Sequence, residues 1–499
     1  QGSAMPSSLF KQQLTNNPDS LAITDLTSRR TWRELHARVT ALVTLLQTEY
    51  GIAPGDHIAL LVGNRIDHVE AMLAGQLAGA WVTPVNTHLT ASEIDYIRHD
   101  CGASLVFCDN SHEALLAPHG TGQIINLQTL GPLPTGTEID ESSPCGGSML
   151  YTSGTTGRPK GVRRAKPDTV GQLLDRMRLA GRNFGLQGGG PHLVTGPLYH
   201  AAPGLLALYD LINGAPMIIL PKWDCDTFFN AVQQYSVTTT HLVPTMFVRL
   251  LQHIDDKGNA PQLPSLNYVL HGAAPIAQSV KKRMIDWWGP ILTEYWGGTE
   301  SGIVTMVTSE EWLNHPGTVG KAIGNFDVFV GDESGKPIAD DTGLLYCRHT
   351  ELAQIFSYHN DPEKTAKAHP QPHVMSLGDI GRVDKEGFVY LSDRASHMII
   401  SGGVNIYPQE VEQALMNHPQ ILDVAVFGIP NPEWGEEVKA LVQLQTGHQP
   451  SSDLAAAIRD FARQHLAGFK IPRSIEFTQA LPRTATGKLR IHELRNKYT

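Results

Sequence analysis

The feature that most limits how this chain can fold is a regular alternation of strand-like and helix-like segments over residues 5 to about 145. Residues 58–62 form an apolar run typical of a buried strand, and residues 68–79 return to the spacing of a helix. Thr31, followed three residues later by Glu34, has the pattern of a helix start. Because strands that alternate with helices are joined by crossovers, the pattern predicts an α/β fold in which helices flank a largely parallel sheet.

The chain is too long for one hydrophobic core. Its 499 residues predict two or more domains. Strand signals separated by Gly/Asp turns dominate residues 318–392, so a small antiparallel unit is expected there.

The net charge and the cysteine content limit which binding partners and which cellular compartment are expected for the protein. The net charge of −10, without a basic block, argues against nucleic acid or an anionic membrane as a partner. Five cysteines without a Cys-x-x-Cys pair are interpreted as reduced intracellular thiols. No signal peptide or transmembrane pattern follows Met5, so a cytoplasmic location is predicted, and residues 1–4 are interpreted as a tag remnant.

Residues 151–161 concentrate groups that bind phosphate. The segment reads Tyr-Thr-Ser-Gly-Thr-Thr-Gly-Arg-Pro-Lys-Gly and follows a short apolar run. Its glycines let backbone N–H groups approach an anion, and its hydroxyls and two cations add donors and charge. It is not a Walker A loop, because Pro159 and Gly161 stand where that pattern needs glycine and Ser/Thr. The segment predicts a polyphosphate-binding loop.

This loop resembles the phosphate loop of the adenylate-forming superfamily, and further motifs of that family follow in the right order. The nearest branch is that of fatty-acid and aryl CoA ligases, with the amide bond synthetases of the marinacarboline type as a second resemblance. The resemblance implies a large N-terminal domain of αβ-layered subdomains with a small β-barrel-like subdomain, over residues 5–393. A small mobile α+β domain, residues 394–499, would carry the catalytic lysine.

The resemblance also assigns a nucleotide site. The residues implied to bind ATP or AMP are Thr152, Ser153, Gly154, Thr155, Thr156, Gly157, Lys160, Gly272, Ala273, Ala274, Tyr295, Trp296, Gly297, Asp379 and Arg394. Trp296 stands where the family usually has Tyr, and Tyr295 precedes it, so either ring could stack on adenine. The carboxylate of Asp379 can accept both ribose hydroxyls.

Four residues are implied to act in the reaction itself. Lys488 ends a Pro…Thr-Gly-Lys pattern, His200 ends Pro-Leu-Tyr-His beside the expected acyl pocket, and Thr299 can donate to the α-phosphate. Glu300 is the implied Mg²⁺ ligand, since carboxylate oxygen suits that hard cation. ATP and Mg²⁺ are therefore the expected substrate and cofactor.

The nucleophile that receives the acyl group is left open. Gly402, Gly403 and Trp434 resemble the acceptor channel of CoA ligases, so CoA is ranked first and an amine second. The motifs also leave open luciferase-like oxygenation, the loading of a carrier protein and a non-catalytic nucleotide sensor. The acyl donor is expected to be a small carboxylic acid, for which Tyr199, Phe247 and Trp296 indicate a flat or aromatic body. No oligomeric state is predicted.

Overall fold

The computed structural model describes residues 6–152 and 158–499. A wholly parallel sheet of five strands forms from the first part of the chain. In hydrogen-bonding order its strands are Gln123–Asn126, Ala103–Cys108, His57–Leu61, Trp81–Pro84 and Gly147–Ser148. The parallel sheet that the alternating pattern predicted is therefore confirmed.

A second sheet of thirteen strands runs through the middle of the chain. In order its strands are Phe326–Gly331, Gly343–His349, Val374–Val383, Val389–Arg394, Thr318–Ala322, Gly302–Thr308, Leu292–Gly298, Tyr268–His271, Thr239–Leu242, His192–Val194, Met217–Ile219, Leu21–Thr24 and Arg29–Thr31. The six strands from Leu292–Gly298 to Leu21–Thr24 are parallel neighbours, and the remaining pairings are antiparallel.

The antiparallel unit predicted for residues 318–392 is present, but it continues this long sheet. Across the described residues its strands form an open path that does not close into a barrel. Its apolar face packs a separate core that includes Val304, Leu345, Phe356 and Val389.

Two smaller sheets complete the fold. An antiparallel sheet of three strands contains Phe356–Tyr358, Lys160–Arg164 and Leu150–Thr152. The C-terminal sheet contains Val404–Ile406, Ile399–Ser401, Gly435–Leu444 and Ile421–Asn431, with Ser474–Phe477 parallel to Gly435–Leu444.

Helices cover the sheets. The α-helices of the described residues are Lys11–Asn16, Trp32–Thr48, Ile66–Leu77, Ala91–Asp100, Val170–Asn183, Ala201–Ile212, Cys225–Tyr235, Pro244–Lys257, Gln278–Trp288, Ser309–Asn314, Pro362–Ala368, Pro408–Leu415, Ser452–Arg463 and Ile491–Lys497. Short 3₁₀ turns span Glu113–Leu115, Ala395–His397 and Gly468–Lys470. None of the helices in the described ranges is long and apolar enough to cross a membrane.

Local sequence explains where several helices begin. At Trp32–Thr48 the Thr31 side chain accepts from the Glu34 N–H and the Glu34 carboxylate accepts from the Thr31 N–H. The predicted capping box is thus confirmed, and such a cap stabilises a helix by about 1 kcal/mol. All five cysteines lie in the described ranges, and none is paired in a disulfide.

The small C-terminal domain has its own hydrophobic core, which includes Ile399, Val411, Val426 and Ile458. A chain segment with a separate core can move as a unit. The exact boundary at residues 393 and 394 stays a prediction.

Candidate active site

The expected nucleotide groups come from the ends of neighbouring strands. Gly272 directly follows the strand Tyr268–His271, and Trp296 lies within the adjacent strand Leu292–Gly298. Because these strands are parallel, their carboxyl ends meet at one edge of the sheet, where ligands of open α/β sheets bind.

The carboxylate that was predicted to bind ribose is held by two neighbours. Asp379 and Arg394 are directly opposite in paired antiparallel strands, and Arg394 Nη1 lies 3.5 Å from Asp379 Oδ2. The same oxygen accepts from Trp296 Nε1 at 3.2 Å. Burial raises the pKa of Asp379, while the Arg394 charge and the Trp296 hydrogen bond oppose that rise. The residues predicted to hold ribose and adenine are therefore in contact.

Tyr295 does not share the environment of Trp296. Successive residues of a strand point to opposite faces, and the Tyr295 hydroxyl lies 2.7 Å from Nε2 of buried His241. Tyr295 packs in a core with Leu206 and Leu270. Of these two rings, Trp296 is the one with a hydrogen bond to Asp379 among the described residues, so Trp296 is the better candidate for the ring beside the nucleotide.

The Gly-Ala-Ala segment after Tyr268–His271 is tightly placed. A Cβ on Gly272 would come within 2.7 Å of the Tyr295 ring, so only glycine fits against that ring. Ala273 adopts a positive φ of 71°, which costs free energy in a residue other than glycine. Ala274 follows, half-buried. The strained turn lies where the sequence predicted an adenine-flanking segment.

Glu300 and Thr299 form the turn between the strands Leu292–Gly298 and Gly302–Thr308. Gly297 precedes this turn, and its backbone packs closely against Gly302. Both Thr299 and Glu300 are half-buried, and the Tyr358 hydroxyl donates to Glu300 Oε1 at 3.2 Å.

The described residues contain no cluster of three or more protein ligands for a metal ion. Mg²⁺ needs no such cluster, because it commonly uses one or two carboxylates together with substrate phosphates and water. The single partly exposed carboxylate of Glu300 fits that donor set.

Only the edges of the predicted phosphate loop can be located, since Ser153, Gly154, Thr155, Thr156 and Gly157 lie outside the described residues. Thr152 is paired with Lys160 across the antiparallel strands that flank the loop. Lys160 Nζ lies 3.4 Å from Asp361 Oδ2. The ammonium group at the base of the loop is thus already paired with a carboxylate.

Lys488 is presented by a tight turn of the C-terminal domain. Arg483 Nη1 donates to the Gly487 carbonyl at 2.7 Å, and its other two nitrogens bind both Asp423 oxygens at 2.7 Å. Gly487 has a φ of 82°, and a Cβ at this position would collide with the side chain of Thr245. The turn therefore packs directly against the helix Pro244–Lys257 of the large domain.

Lys488 interacts electrostatically with the other charged groups of the cleft. Its side chain is exposed to solvent, but the surrounding protein still partly desolvates the ammonium. This burial and the Arg394 charge lower the pKa of Lys488, whereas Glu300 and Asp379 oppose the shift.

His200 occupies the position just before the helix Ala201–Ile212, and its side chain makes no capping hydrogen bond there. Burial, with a further contribution from the Lys488 charge, lowers its pKa to about 4. Its ring is therefore neutral at pH 7 and contacts the ring of Tyr199 at 4.8 Å between centroids. Phe247, by contrast, is fully buried against His271.

Gly402, Gly403 and Trp434 form a separate group. Gly402 N–H donates to the Trp434 carbonyl at 2.8 Å, and the Trp434 ring lies 5.3 Å from the Arg473 guanidinium. Trp434 is 40% exposed. Across the described ranges, none of the hydrogen bonds or ion pairs joins this group to Lys488 or Glu300.

Three contacts at the site were missed by the sequence reasoning: Tyr358 on Glu300, Asp361 on Lys160, and Arg483 on the Lys488 turn. Tyr358 ends an ordinary strand, and Asp361 caps an ordinary helix. Both lie about two hundred residues beyond the phosphate loop. Arg483 lies inside the Pro…Thr-Gly-Lys pattern that Lys488 ends, so its closeness to Lys488 in the sequence was the available signal.

Comparison with known families gives matches over both parts of the chain. The profile of the AMP-binding enzyme family matches residues 10–356, and that of the AMP-binding enzyme C-terminal domain matches residues 410–488.

Individual proteins match along nearly the full length. Feruloyl-CoA synthase of Amycolatopsis sp is 32% identical over 489 residues, which cover 97% of this chain and 96% of that protein. The o-succinylbenzoate CoA synthetase of Bacillus subtilis, solved with its acyl-adenylate, is 26% identical with a TM-score of 0.82 and 98% coverage of both chains. The amide bond synthetase McbA of Marinactinospora thermotolerans is 25% identical with a TM-score of 0.82, covering 98% of this chain and 99% of that one.

Proposed function

The chain belongs to the AMP-binding enzyme family, and we propose on that premise that it activates an aryl carboxylic acid at the cleft around Lys488 and passes the acyl group to CoA. It is an AMP-forming ligase, because its relatives over nearly the full length are CoA ligases. The aryl preference is supported by the feruloyl-CoA synthase relative. The observation that carries the assignment of the cleft is the convergence of Glu300, Asp379, Arg394 and Lys488 from distant parts of the chain.

The first step joins two anions. A carboxylate oxygen attacks the α-phosphorus of ATP, the bond from that phosphorus to pyrophosphate breaks, and acyl-AMP and pyrophosphate form. Because the carboxylate is already ionised, no general base is needed. Mg²⁺ held by Glu300 would offset negative charge on the phosphates.

The residues of the chain have distinct parts in this step. Asp379 accepts hydrogen bonds from the ribose hydroxyls, and Trp296 packs along the adenosine. Lys488, as the ammonium ion, is placed to offset the charge between the carboxylate and the α-phosphate. His200, neutral at pH 7, contacts the acid without adding a charge.

In the second step, the thiol sulfur of CoA attacks the acyl carbonyl carbon, the bond to the AMP oxygen breaks, and the thiol proton is released. Among the described residues, no hydrogen bond or ion pair joins Lys488 to Gly402, Gly403 or Trp434. We infer that the C-terminal domain, residues 394–499, turns about residues 393–397 so that this group replaces Lys488 at the cleft.

An amine is the second candidate acceptor. The solved structure of the amide bond synthetase McbA supports it, since it matches this chain as well as a CoA synthetase structure does. An amine nitrogen would attack the same carbonyl carbon and give an amide.

Carboxylate-dependent pyrophosphate release tests the first step. Aryl and aliphatic acids of similar length are incubated with ATP and Mg²⁺, and the aryl acids are expected to react faster. Adding CoA or an amine to the resulting adenylate then identifies the acceptor from the product. ATP binding without acid-dependent pyrophosphate release would instead indicate a nucleotide sensor.

A further inference from the structure

The helix Gln278–Trp288 of the large domain begins without a side-chain cap of its own. The residue before it is Ala277, whose methyl group cannot accept a hydrogen bond, so the N–H of Gln278 needs an acceptor from elsewhere. That N–H donates to Oε1 of Gln413 at 2.8 Å. Gln413 belongs to the helix Pro408–Leu415 of the C-terminal domain. A side chain of one domain therefore completes the start of a helix in the other.

The same side chain makes a second hydrogen bond to the large domain. Nε2 of Gln413 donates to the carbonyl oxygen of Ile276 at 2.6 Å, and this bond is partly buried. The amide of Gln413 thus accepts through its oxygen and donates through its nitrogen, and both partners are backbone groups of the large domain.

These two bonds lie between the proposed hinge and the nucleotide side of the cleft. Ile276 closely follows residues 272–274, which were predicted to flank adenine. At its other end, the helix Pro408–Leu415 is tied to the hinge, because Asp393 Oδ2 accepts from the Gln409 N–H at 2.9 Å. The position of this helix therefore connects the orientation of the C-terminal domain with the adenine-flanking segment.

A second side-chain contact between the domains is longer and lies at an exposed residue. Thr446 Oγ1 is 3.2 Å from Gln252 Nε2 and 3.3 Å from Asp256 Oδ2. Water competes for exposed hydrogen bonds, so this contact adds less to the preference for one orientation. Gln413 is the stronger of the two links.

We propose that Gln413 is a positioning residue that holds the C-terminal domain in the orientation that forms acyl-AMP. The proposal rests on the proposed function, because it names a contact that the turning domain has to break. When residues 394–499 turn, both hydrogen bonds of Gln413 are lost. Gln413 therefore stabilises the orientation that places Lys488 in the cleft relative to the orientation proposed for acyl transfer.

A comparison of the two half-reactions measures this preference. For each half-reaction, kcat/KM compares the transition state with the free protein and its free substrates. The free protein cancels when one kcat/KM is divided by the other. Hydrogen bonds that are present in the first transition state and absent from the second therefore change this ratio, whichever orientation the free protein prefers.

Gln413→Met removes both hydrogen bonds but keeps the length of the side chain and a similar tendency to form a helix. The first kcat/KM comes from pyrophosphate release with ATP and the aryl acid that the wild type activates fastest. The second comes from the supplied adenylate of that acid and the acceptor that discharges it in the wild type, CoA or an amine. The first value divided by the second should fall about tenfold, as expected for the loss of two ordinary hydrogen bonds.

Gln464→Met is the matched control, since Gln464 is exposed on the same domain, and it should keep the wild-type ratio. A variant that is partly unfolded lowers both kcat/KM values by the same factor, so a folding defect does not change the ratio. The melting temperature of each variant reports such a defect separately.

Gln278→Pro tests the same contact from the large domain, because proline has no N–H. Proline is well tolerated at the first residue of a helix, and Ala277 already has the extended backbone that a residue before proline adopts, with φ −65° and ψ 132°. The ratio should fall in Gln278→Pro and stay unchanged in Gln278→Ala, which loses the side chain but keeps the N–H.

The double variant shows whether the two residues act together. Gln413→Met should lower the ratio by a smaller factor in the Gln278→Pro protein than in the wild type, since one of its two bonds is already gone. Equal factors in the two proteins, or an equal fall in Gln278→Ala, would overturn the proposal.

The proposal is also overturned if Gln413→Met lowers both kcat/KM values together, or changes neither. In that case pyrophosphate release and acyl transfer by the wild type would leave the ligase function intact. Absence of acid-dependent pyrophosphate release from the wild type would instead overturn the proposed function, and the Gln413 proposal with it.

Discussion

The two sides of the cleft hold their charged groups in different ways. On the side of the large domain, Asp379 is bonded to Trp296 and Arg394, and Glu300 is bonded to Tyr358. On the other side, the Lys488 ammonium makes no hydrogen bond or ion pair within the part of the chain that the structure describes. The groups proposed to bind the nucleotide are thus already held by neighbouring side chains, whereas the ammonium of Lys488, the lysine proposed to be catalytic, remains available to bind a substrate.

The turn that carries Lys488 is nevertheless rigid. Arg483 ties it to Asp423 of the C-terminal sheet, and Lys488 N–H donates to the Thr484 hydroxyl. Side-chain contacts to the large domain are made by Gln413 and Thr446. If Lys488 leaves the cleft, the whole domain is therefore expected to move with it.

Lys488→Ala is expected to have the largest effect. Loss of one electrostatic donor should lower the rate of acyl-AMP formation by about 10²–10³. Transfer from a supplied acyl-adenylate should be nearly unchanged, because that step is proposed to proceed after Lys488 has left. Pyrophosphate exchange and single-turnover transfer measure the two steps.

Lys497→Ala is the matched control, because that lysine is exposed near the end of the same domain. If Lys488→Ala slowed acyl-AMP formation and acyl transfer equally, this would contradict the proposal that each of the two steps takes place in a different orientation of the C-terminal domain.

Arg483→Met should have a smaller effect of the same kind. The turn loses its link to Asp423, so Lys488 is expected to be less well positioned, and acyl-AMP formation should fall by about tenfold. Arg490→Met is the control, since among the described residues the one ion pair of the Arg490 side chain is with Glu493 on the surface, at 3.5 Å. A parallel loss of transfer from supplied adenylate would indicate a folding defect instead, which the melting temperature would also report.

Asp379→Asn tests the fixed side of the cleft. The neutral amide accepts more weakly from the ribose hydroxyls and from Trp296, so the KM for ATP should rise about tenfold while the KM for the acid changes little. Asp340→Asn, at an exposed position, should leave both values unchanged. A change confined to the acid KM would place Asp379 outside the nucleotide site.

The pH profile should show the smallest effect. A lysine whose pKa is lowered is cationic below that pKa and loses its charge as the pH rises through it. Acyl-AMP formation should therefore decline with rising pH below the ordinary lysine value of 10.5. In Lys488→Arg the alkaline decline should disappear, even if the enzyme is slower, because guanidinium stays charged. The same decline in both proteins would assign it to another group.

Much of the fold could be predicted from local pattern. The Thr31–Glu34 cap and the alternating strands and helices depend on neighbours in sequence, and both are confirmed. The family resemblance is confirmed by the matches to AMP-binding enzymes. The strands of residues 318–392 were also recognised, but their continuation into a thirteen-stranded sheet depends on the pairing of Gly302–Thr308 with Thr318–Ala322.

The candidate site, like the fold, could be predicted from the sequence only in part. Ordered motifs named Glu300, Asp379, Arg394 and Lys488, and these roles stay predictions although the residues converge. Strand periodicity could have shown that Tyr295 and Trp296 face opposite sides, but not which side meets the nucleotide. The hydrogen bond from Trp296 to Asp379, eighty-three residues away, supports the proposal that Trp296 is the ring on that side.

The sequence by itself determined the helices and strands, the family and the set of charged groups in the candidate site. It could do so because periodicity, helix caps and motifs depend on residues that are close together in the chain. Only the tertiary structure decided that Gln413 completes the start of a helix in the large domain, that Tyr358 holds Glu300, and that Arg483 braces the Lys488 turn. Those contacts join residues whose separation in the chain has no periodic relation, so packing of whole domains is what brings them together.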